Sequence, residues 1–332
     1  MTEVDGNVLL SSPGMHEMAE RIMPLLQQRS ARFSHIKVGF TTFANGEIKP
    51  QIPETVRGMH AFFLHPLQHP DPNTALLSML LTNDALMRAS VAEISLVLPY
   101  IPYMRQDRKD RNDDGRTPIS ARTVANLIES NKKVARIITL DLHADQEEGF
   151  FDISVDNLSG SVVHAEFLRK KFHNDFRTVV VATPDLGGAV RARRLAMKLD
   201  PDVPVASIDK RRTGPNKAEV ISCTGDVIGN DIVVIDDMID TGGTIRIATA
   251  EYMKRGAKSV CICATHALFS NNAEKSFSES GYPVIVTQTI PRQDSYWKRN
   301  ESWLQAVSID ALLADAIQRA STVGASMRDL SK

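Results

Sequence analysis

Short apolar runs constrain this chain more than any other feature. They lie at 36–40, 60–64, 94–98, 136–140, 178–182, 203–208, 232–235, 260–264 and 284–287. Several are apolar at every position, as strands buried on both faces are, whereas a half-buried strand would alternate. Stretches with helical pattern separate them. One spans 75–89. A second spans 117–130, with Thr117 as cap and Pro118 in its first turn. A third spans 244–255 and is closed by Gly256. Strand–helix alternation of this kind builds parallel sheets with helices on both faces. A length of 332 residues suits two domains of about 150 residues each. The pattern divides near residue 155. Two similar α/β domains are therefore expected, 1–155 and 156–332, each a mainly parallel sheet flanked by helices.

Composition removes several classes of function. Hydrophobic residues make up 42% and charged residues 24%, a globular balance. The 39 basic and 40 acidic side chains leave a net charge of −1. A general nucleic-acid binder needs a basic excess that this chain lacks. No apolar run approaches the roughly 18 residues of a membrane span. The opening MTEVDGNVLLSSPG is acidic and polar, unlike a secretory signal. Three cysteines suit a reducing compartment. The expectation is a cytoplasmic protein with neither nucleic-acid nor membrane partners.

The sharpest chemical feature is IVVIDDMIDTGGT at 232–244. A buried strand runs into Asp236 and Asp237, a short loop carries Asp240, Thr241, Gly242 and Gly243, and a helix opens at Thr244. Glycines let backbone N–H groups approach a phosphate, and a helix N-terminus adds positive potential there. The two aspartates are poor partners for an anion. They suit sugar hydroxyls, or Mg²⁺ with its waters. A sugar carrying both a phosphate and a diol satisfies the whole loop. No Gly-Lys-Ser/Thr follows, so this is not a Walker loop.

This stretch resembles the 5-phosphoribosyl 1-diphosphate (PRPP) motif of type I phosphoribosyltransferases, which nucleobase transferases share with PRPP synthases. Other segments separate the two. PYIPYMRQDRK at 99–109, DLHADQEEGFFD at 141–152 with VDNL at 155–158, PDLGGA at 184–189, IDKRR at 208–212 and FANGE at 43–47 resemble, in order and spacing, segments of the ribose-phosphate pyrophosphokinase (PRPP synthase) family. That family moves the β,γ-diphosphoryl group of ATP to the 1-hydroxyl of ribose 5-phosphate and releases AMP. Two phosphoribosyltransferase-like domains are implied, with the ATP-side motifs in the first.

The resemblance implies roles residue by residue. Lys210 and Arg212 match the catalytic lysine and arginine, followed by a polar loop at 213–217 that can close over substrate. Arg212, Asp236, Asp237, Asp240, Thr241, Gly242, Gly243 and Thr244 would hold ribose 5-phosphate. Phe43, Asn45, Gly46, Glu47, Arg105, Gln106, Asp110 and His143 would hold ATP. In the family the 43–47 segment reaches over from a neighbouring subunit, so a homo-oligomer built from dimers, a hexamer, is implied. His143 and Asp185 match contacts to Mg²⁺, the implied cofactor. Two segments depart from the family pattern: 110–116 is longer, and 70–78 lacks a usual acidic pair.

Blander readings stand beside these. Without the resemblance, FANGE is an ordinary turn, KRR a basic surface turn, and 107–116 a solvated loop. His65, His69 and Asp71 have the look of metal ligands, with surface histidines the safer reading. Cys261 and Cys263 share one strand face and read as core. Trp297 and Trp303 read as an interdomain or intersubunit contact. Two other functions share parts of the pattern. A non-catalytic regulatory subunit would disrupt the catalytic loop or the ATP motifs, which are intact here. A nucleobase phosphoribosyltransferase would need neither the RQDRK nor the DLHA segment.

Overall fold

The computed structural model describes residues 6–29, 33–109, 116–214 and 217–331, with the backbone alone for 29, 210–214, 217–220 and 331. The chain divides into two units. Met1–Ser159 with Asp310–Ser331 form the first, and Gly160–Ile309 the second.

The first unit runs β1 (Asn7–Ser11), α1 (His16–Arg29), β2 (Phe33–Lys37), β3 (Gly39–Thr42), β4 (Ile48–Gln51), β5 (His60–Leu64), α2 (Pro72–Arg88), β6 (Glu93–Val97), α3 (Ser120–Ile128), β7 (Val134–Leu140) and β8 (Ser154–Leu158). Six strands form a sheet in the order β2-β1-β5-β6-β7-β8, parallel throughout. β3 and β4 form a separate antiparallel hairpin.

The second unit runs α4 (Ser161–Lys171), β9 (Val179–Thr183), α5 (Ala189–Leu199), β10 (Val205–Gly214), β11 (Lys217–Thr224), β12 (Asp231–Ile239), α6 (Gly243–Lys254), β13 (Ser259–Ala267), α7 (Ala273–Ser280), β14 (Val284–Thr287), α8 (Asp294–Asn300) and β15 (Leu304–Val307). The sheet order is β11-β10-β9-β12-β13-β14-β15; β10 and β11 pair antiparallel, and the other neighbours pair parallel. Setting β11 aside, the two sheets have one connectivity, with β1 matching β9 and β5 matching β12. In each, the first strand pairs with the second on one side and with a later strand on the other. The chain therefore reverses its direction of travel there, the switch point where parallel sheets place ligands.

Strand alternation explains the continuous apolar runs. In β9, Val180 and Ala182 enter the core on one face of the sheet, and Val179 and Val181 enter the core on the other. Cys261 and Cys263 lie in this second core, as their spacing predicts. The core of the first unit gathers Val8, Leu10, Phe63, Leu96 and Ile137 with Met79, Leu86 and Val124 from the helices.

Several boundaries differ from the sequence pattern. The run at 36–40 is broken, because the Val38 N–H bonds the Ser11 carbonyl (2.9 Å) and the chain then leaves into the hairpin. α2 starts at Pro72 because the Asp71 carboxylate caps it, accepting the N–H groups of Asn73 and Thr74 at 3.0 Å each. α3 starts at Ser120, not at 117, with no side-chain cap. Its Ala121 N–H is met instead by the Gln106 carbonyl, 3.3 Å away. The expected division at 155/156 falls at 159/160, because polar β8 completes the first sheet. Residues 310–331, expected with the second domain, belong to the first. Helix α9 (Asp310–Ala320) packs on α1, where Arg21 Nε donates to Asp310 Oδ2 at 2.7 Å.

Candidate functional site

β9 and β12 are parallel neighbours in the second unit, and carboxylates gather beyond and within their C-terminal ends. After β9 comes Asp185, whose Oδ1 accepts the Gly188 N–H at 3.3 Å and so fixes the turn into α5. A Cβ at Gly188 would stand 2.0 Å from Thr183 Oγ1, so this tight turn admits only glycine. Near the end of β12 lie Asp236 and Asp237. Asp236 Oδ1 accepts the Asp237 N–H at 3.0 Å. Opposite them, Arg191 on α5 sets Nη1 3.4 Å from Asp236 Oδ1 and 3.8 Å from Asp237 Oδ1. Burial drives the proton affinity of Asp236 well above the ordinary carboxylate range, and the charges of Asp237 and Asp185 add to it, with Arg191 opposing. A further positive group is therefore favoured at this end of the sheet.

The loop after β12 is built to be approached. Gly242 sits at φ +71°, in the left-handed region, and a Cβ there would stand 2.3 Å from the Phe277 ring. Both conformation and packing demand glycine. At Gly243 a Cβ would meet nothing within 4 Å, so the backbone faces open space. Thr241 and Thr244 are exposed. α6 begins without a side-chain cap, which leaves its N-terminal potential to act on a ligand. Tyr252 on α6 donates from its buried hydroxyl to the Thr183 carbonyl at 2.8 Å, tying this helix to the end of β9. Beneath the loop, the Phe269 N–H bonds the Ile239 carbonyl (2.9 Å) and the Ser270 N–H bonds the Asp240 carbonyl (3.1 Å).

The strand expected over 203–208 does not stop before Lys210 and Arg212. β10 continues through them to Gly214 and pairs with β11 as an antiparallel arm at the sheet edge, Lys210 opposite Val220 and Arg212 opposite Ala218. Polarity hid this extension, because an edge arm needs no apolar run. Its register shifts between Asp209 and Lys210 and again before Gly214, irregularities that bend a strand.

The ATP-side candidates lie in the first unit. Arg105 and Gln106 follow β6, and His143 follows β7; all three are exposed. They share the C-terminal edge of neighbouring strands. Gln106 is held in place: its N–H bonds the Tyr103 carbonyl at 3.3 Å, and its Oε1 accepts from Ser120 Oγ. Phe43, Asn45, Gly46 and Glu47 form the turn of the β3–β4 hairpin, in another sheet. The Phe43 N–H bonds the Glu47 carbonyl (2.8 Å), and the Gly46 N–H bonds that of Phe43 (2.9 Å). Asn45 Oδ1 accepts the Glu47 N–H at 3.1 Å. The Phe43 side chain is 48% exposed, a large apolar ring left in solvent at a turn. Asp110 lies outside the described residues.

Some expectations change. His65 is buried, not at the surface. Its Nδ1 pairs with Ser12 Oγ (2.6 Å) and its Nε2 with the Ala75 carbonyl (2.9 Å). Asp71 is a helix cap. Trp303 is 8% exposed and packs edge-on against Phe269 in the core. Arg191 escaped sequence reading, although its place three residues beyond PDLGG, in the first turn of α5, points it back at the strand ends. Among the described residues no group of three or more His, Cys, Asp or Glu side chains is disposed to hold a metal. Asp185 offers a single carboxylate. That fits Mg²⁺, which keeps several waters and takes substrate phosphates rather than an all-protein cage. Among the described residues no helix is long and apolar enough to cross a membrane.

Comparison with known proteins agrees with this architecture. Residues 8–131 match the N-terminal domain of ribose phosphate pyrophosphokinase, and residues 155–301 match the phosphoribosyl transferase domain. The molecule is thus a tandem of phosphoribosyltransferase-type domains. Ribose-phosphate pyrophosphokinase from Vibrio cholerae is 42% identical over 313 residues, which cover 93% of this chain and 96% of that protein. The corresponding protein of Gloeobacter violaceus is 41% identical, covering 89% and 87%. The crystal structure of phosphoribosylpyrophosphate synthetase from Mycobacterium smegmatis aligns with a TM-score of 0.80 at 36% identity, covering 95% of this chain and 98% of that one. The chain belongs to the ribose-phosphate pyrophosphokinase family.

Proposed function

We propose that this enzyme transfers the β,γ-diphosphoryl group of ATP to the 1-hydroxyl of ribose 5-phosphate, giving PRPP and AMP. The observation that carries the reading is the end of β12. A half-buried and a buried aspartate stand beside an uncapped helix whose first glycine faces open space, a pairing of diol-binding and phosphate-binding groups that suits a phosphorylated sugar. Asp236 and Asp237 accept from the ribose hydroxyls, and the Asp240–Thr244 segment takes the phosphate on backbone N–H and hydroxyl donors. Lys210 and Arg212 bring two cations to the transferring phosphates, whose charge makes positioning and electrostatic stabilisation the main catalytic effects. Arg105, Gln106 and His143 hold the ATP phosphates and purine. Phe43, Asn45, Gly46 and Glu47 read adenine from a neighbouring subunit of a dimer-based homo-oligomer, for which the exposed Phe43 ring is a stacking surface. Mg²⁺, when bound with ATP, neutralises phosphate charge. Asp185 would hold it.

The test is AMP and PRPP formation by the purified protein with ATP, ribose 5-phosphate and Mg²⁺, followed by chromatography. AMP that appears only when ribose 5-phosphate is present is the expected result. ATP turnover without ribose 5-phosphate, or no AMP at all, refutes it.

A further inference from the structure

β13 outruns its outer neighbour. β14 pairs with it only as far as Ala264 opposite Val286, whereas β13 continues to Ala267. The following residues reach the ribose 5-phosphate loop through the bonds of Phe269 and Ser270 to the carbonyls of Ile239 and Asp240. Beyond the last β14 register pair, β13 carbonyls need other donors. Side chains from the last residue of β14 and from the segment after it supply them. Thr287 Oγ1 and Thr289 Oγ1 donate to the Thr265 carbonyl at 2.6 and 2.9 Å. Arg292 Nη2 donates to the carbonyls of Ala267 (3.3 Å) and Leu268 (3.1 Å).

Arg292 is itself held. Its guanidinium lies 4.9 Å from the centre of the Tyr296 ring, and Tyr296 donates to Glu274 Oε1 on α7 at 2.9 Å. The same helix carries Phe277, the ring on which Gly242 rests. The Arg292 Nε atom is buried with no hydrogen-bond partner among the described residues. Burying an unpaired donor on a cation is costly, so the two carbonyl bonds are held against a penalty. They anchor the exit of β13 at the point where it turns under the loop.

We propose that Arg292, assisted by Thr289, is a positioning residue for the ribose 5-phosphate loop. It bonds the carbonyls that end β13, and so fixes the Phe269–Ser270 backbone on which residues 239–242 rest. This inference rests on the reading of that loop as the ribose 5-phosphate site.

Two variants and two readouts test it. In Arg292→Ala the KM for ribose 5-phosphate rises about tenfold, while the KM for ATP stays within about twofold. Amide hydrogen exchange in peptides covering 238–246 speeds up, with peptides of the first unit unchanged. Arg292→Lys, with one compact cation in place of the planar fork, recovers part of both effects. Thr289→Val removes one hydroxyl donor, keeps the fold, and gives the same changes at smaller size. An unchanged KM for ribose 5-phosphate in both Arg292→Ala and Thr289→Val overturns the proposal, as does an equal rise in both KM values. Should the wild-type protein form no AMP, the functional reading fails. The positioning role is then judged by exchange alone, and unaltered protection at 238–246 in both variants overturns it.

Discussion

The same position in the two sheets is built in opposite ways. β5 and β12 correspond, and so do the helices that follow them, α2 and α6. In the first unit, Asp71 fills the start of α2 with its own carboxylate, which accepts two backbone N–H groups. The neighbouring strand end holds a buried histidine bonded to Ser12 and Ala75. In the second unit, the start of α6 has a glycine and no side-chain cap, and the strand ends hold aspartates facing an arginine. One topology thus carries a self-satisfied terminus and an open one. A fold sets where a ligand could bind, and the residues at that place decide whether the protein occupies it first.

The largest effect should come from the arm, the part of the second unit whose counterpart in the first is a detached hairpin. Lys210→Ala is expected to lower kcat about a thousandfold, the scale of removing a cation from a phosphoryl-transfer site, with circular dichroism unchanged. A kcat near wild type would remove Lys210 from the chemistry. Next, Gly242→Ala forces a side chain into the left-handed region and against Phe277. A cost of about 3 kcal/mol is expected from strain and overpacking together, read by urea unfolding, together with lost saturation by ribose 5-phosphate. Full retention of both would deny that the open terminus depends on this glycine.

The third test addresses the closed position. Burial lowers the pKa of His65 from 6.5 to about 4. The unfolded chain takes up this proton first as pH falls, so stability is lost between about pH 6.5 and 4, by up to roughly 3 kcal/mol. Above pH 6.5 neither state is protonated and the effect vanishes. His65→Gln should flatten this slope for the first unit, measured as urea midpoints across that range. An unchanged slope would mean the ring is not buried neutral. The smallest effect is expected from Asp71→Ala, about 1 kcal/mol from a lost cap, with the KM for ribose 5-phosphate unaltered. A change in that KM would break the contrast between the two termini.

Much of this was readable in the residues, and the failures have physical causes. Strands buried on both faces announce themselves, so 60–64 and 284–287 coincide with β5 and β14. β8 reads Ser-Val-Asp-Asn-Leu and lies at a sheet edge, where half-buried polar residues are tolerated; its composition hid it. The extension of β10 beyond the expected 203–208 run, to Gly214, was hidden for the same reason. Asp236 and Asp237 stood out because paired carboxylates are costly at the end of a buried strand. Arg191, which offsets them, looks like any helical arginine until α5 is folded against β12. His65 looked like a surface residue because its partners, Ser12 and the Ala75 carbonyl, are set by tertiary structure alone.

The return of α9 to the first unit has a consequence for synthesis. Residues 160–309 form a contiguous unit, whereas the first unit lacks its last helix until everything between has been made. On the ribosome, the usual order in which N-terminal domains finish first is inverted. The second unit can close its core while Leu312, Leu313, Ala316 and Ile317, all buried in the finished protein, have yet to emerge. Until then the partner surface on α1 stays uncovered, and the nascent first unit depends on the last helix to complete it.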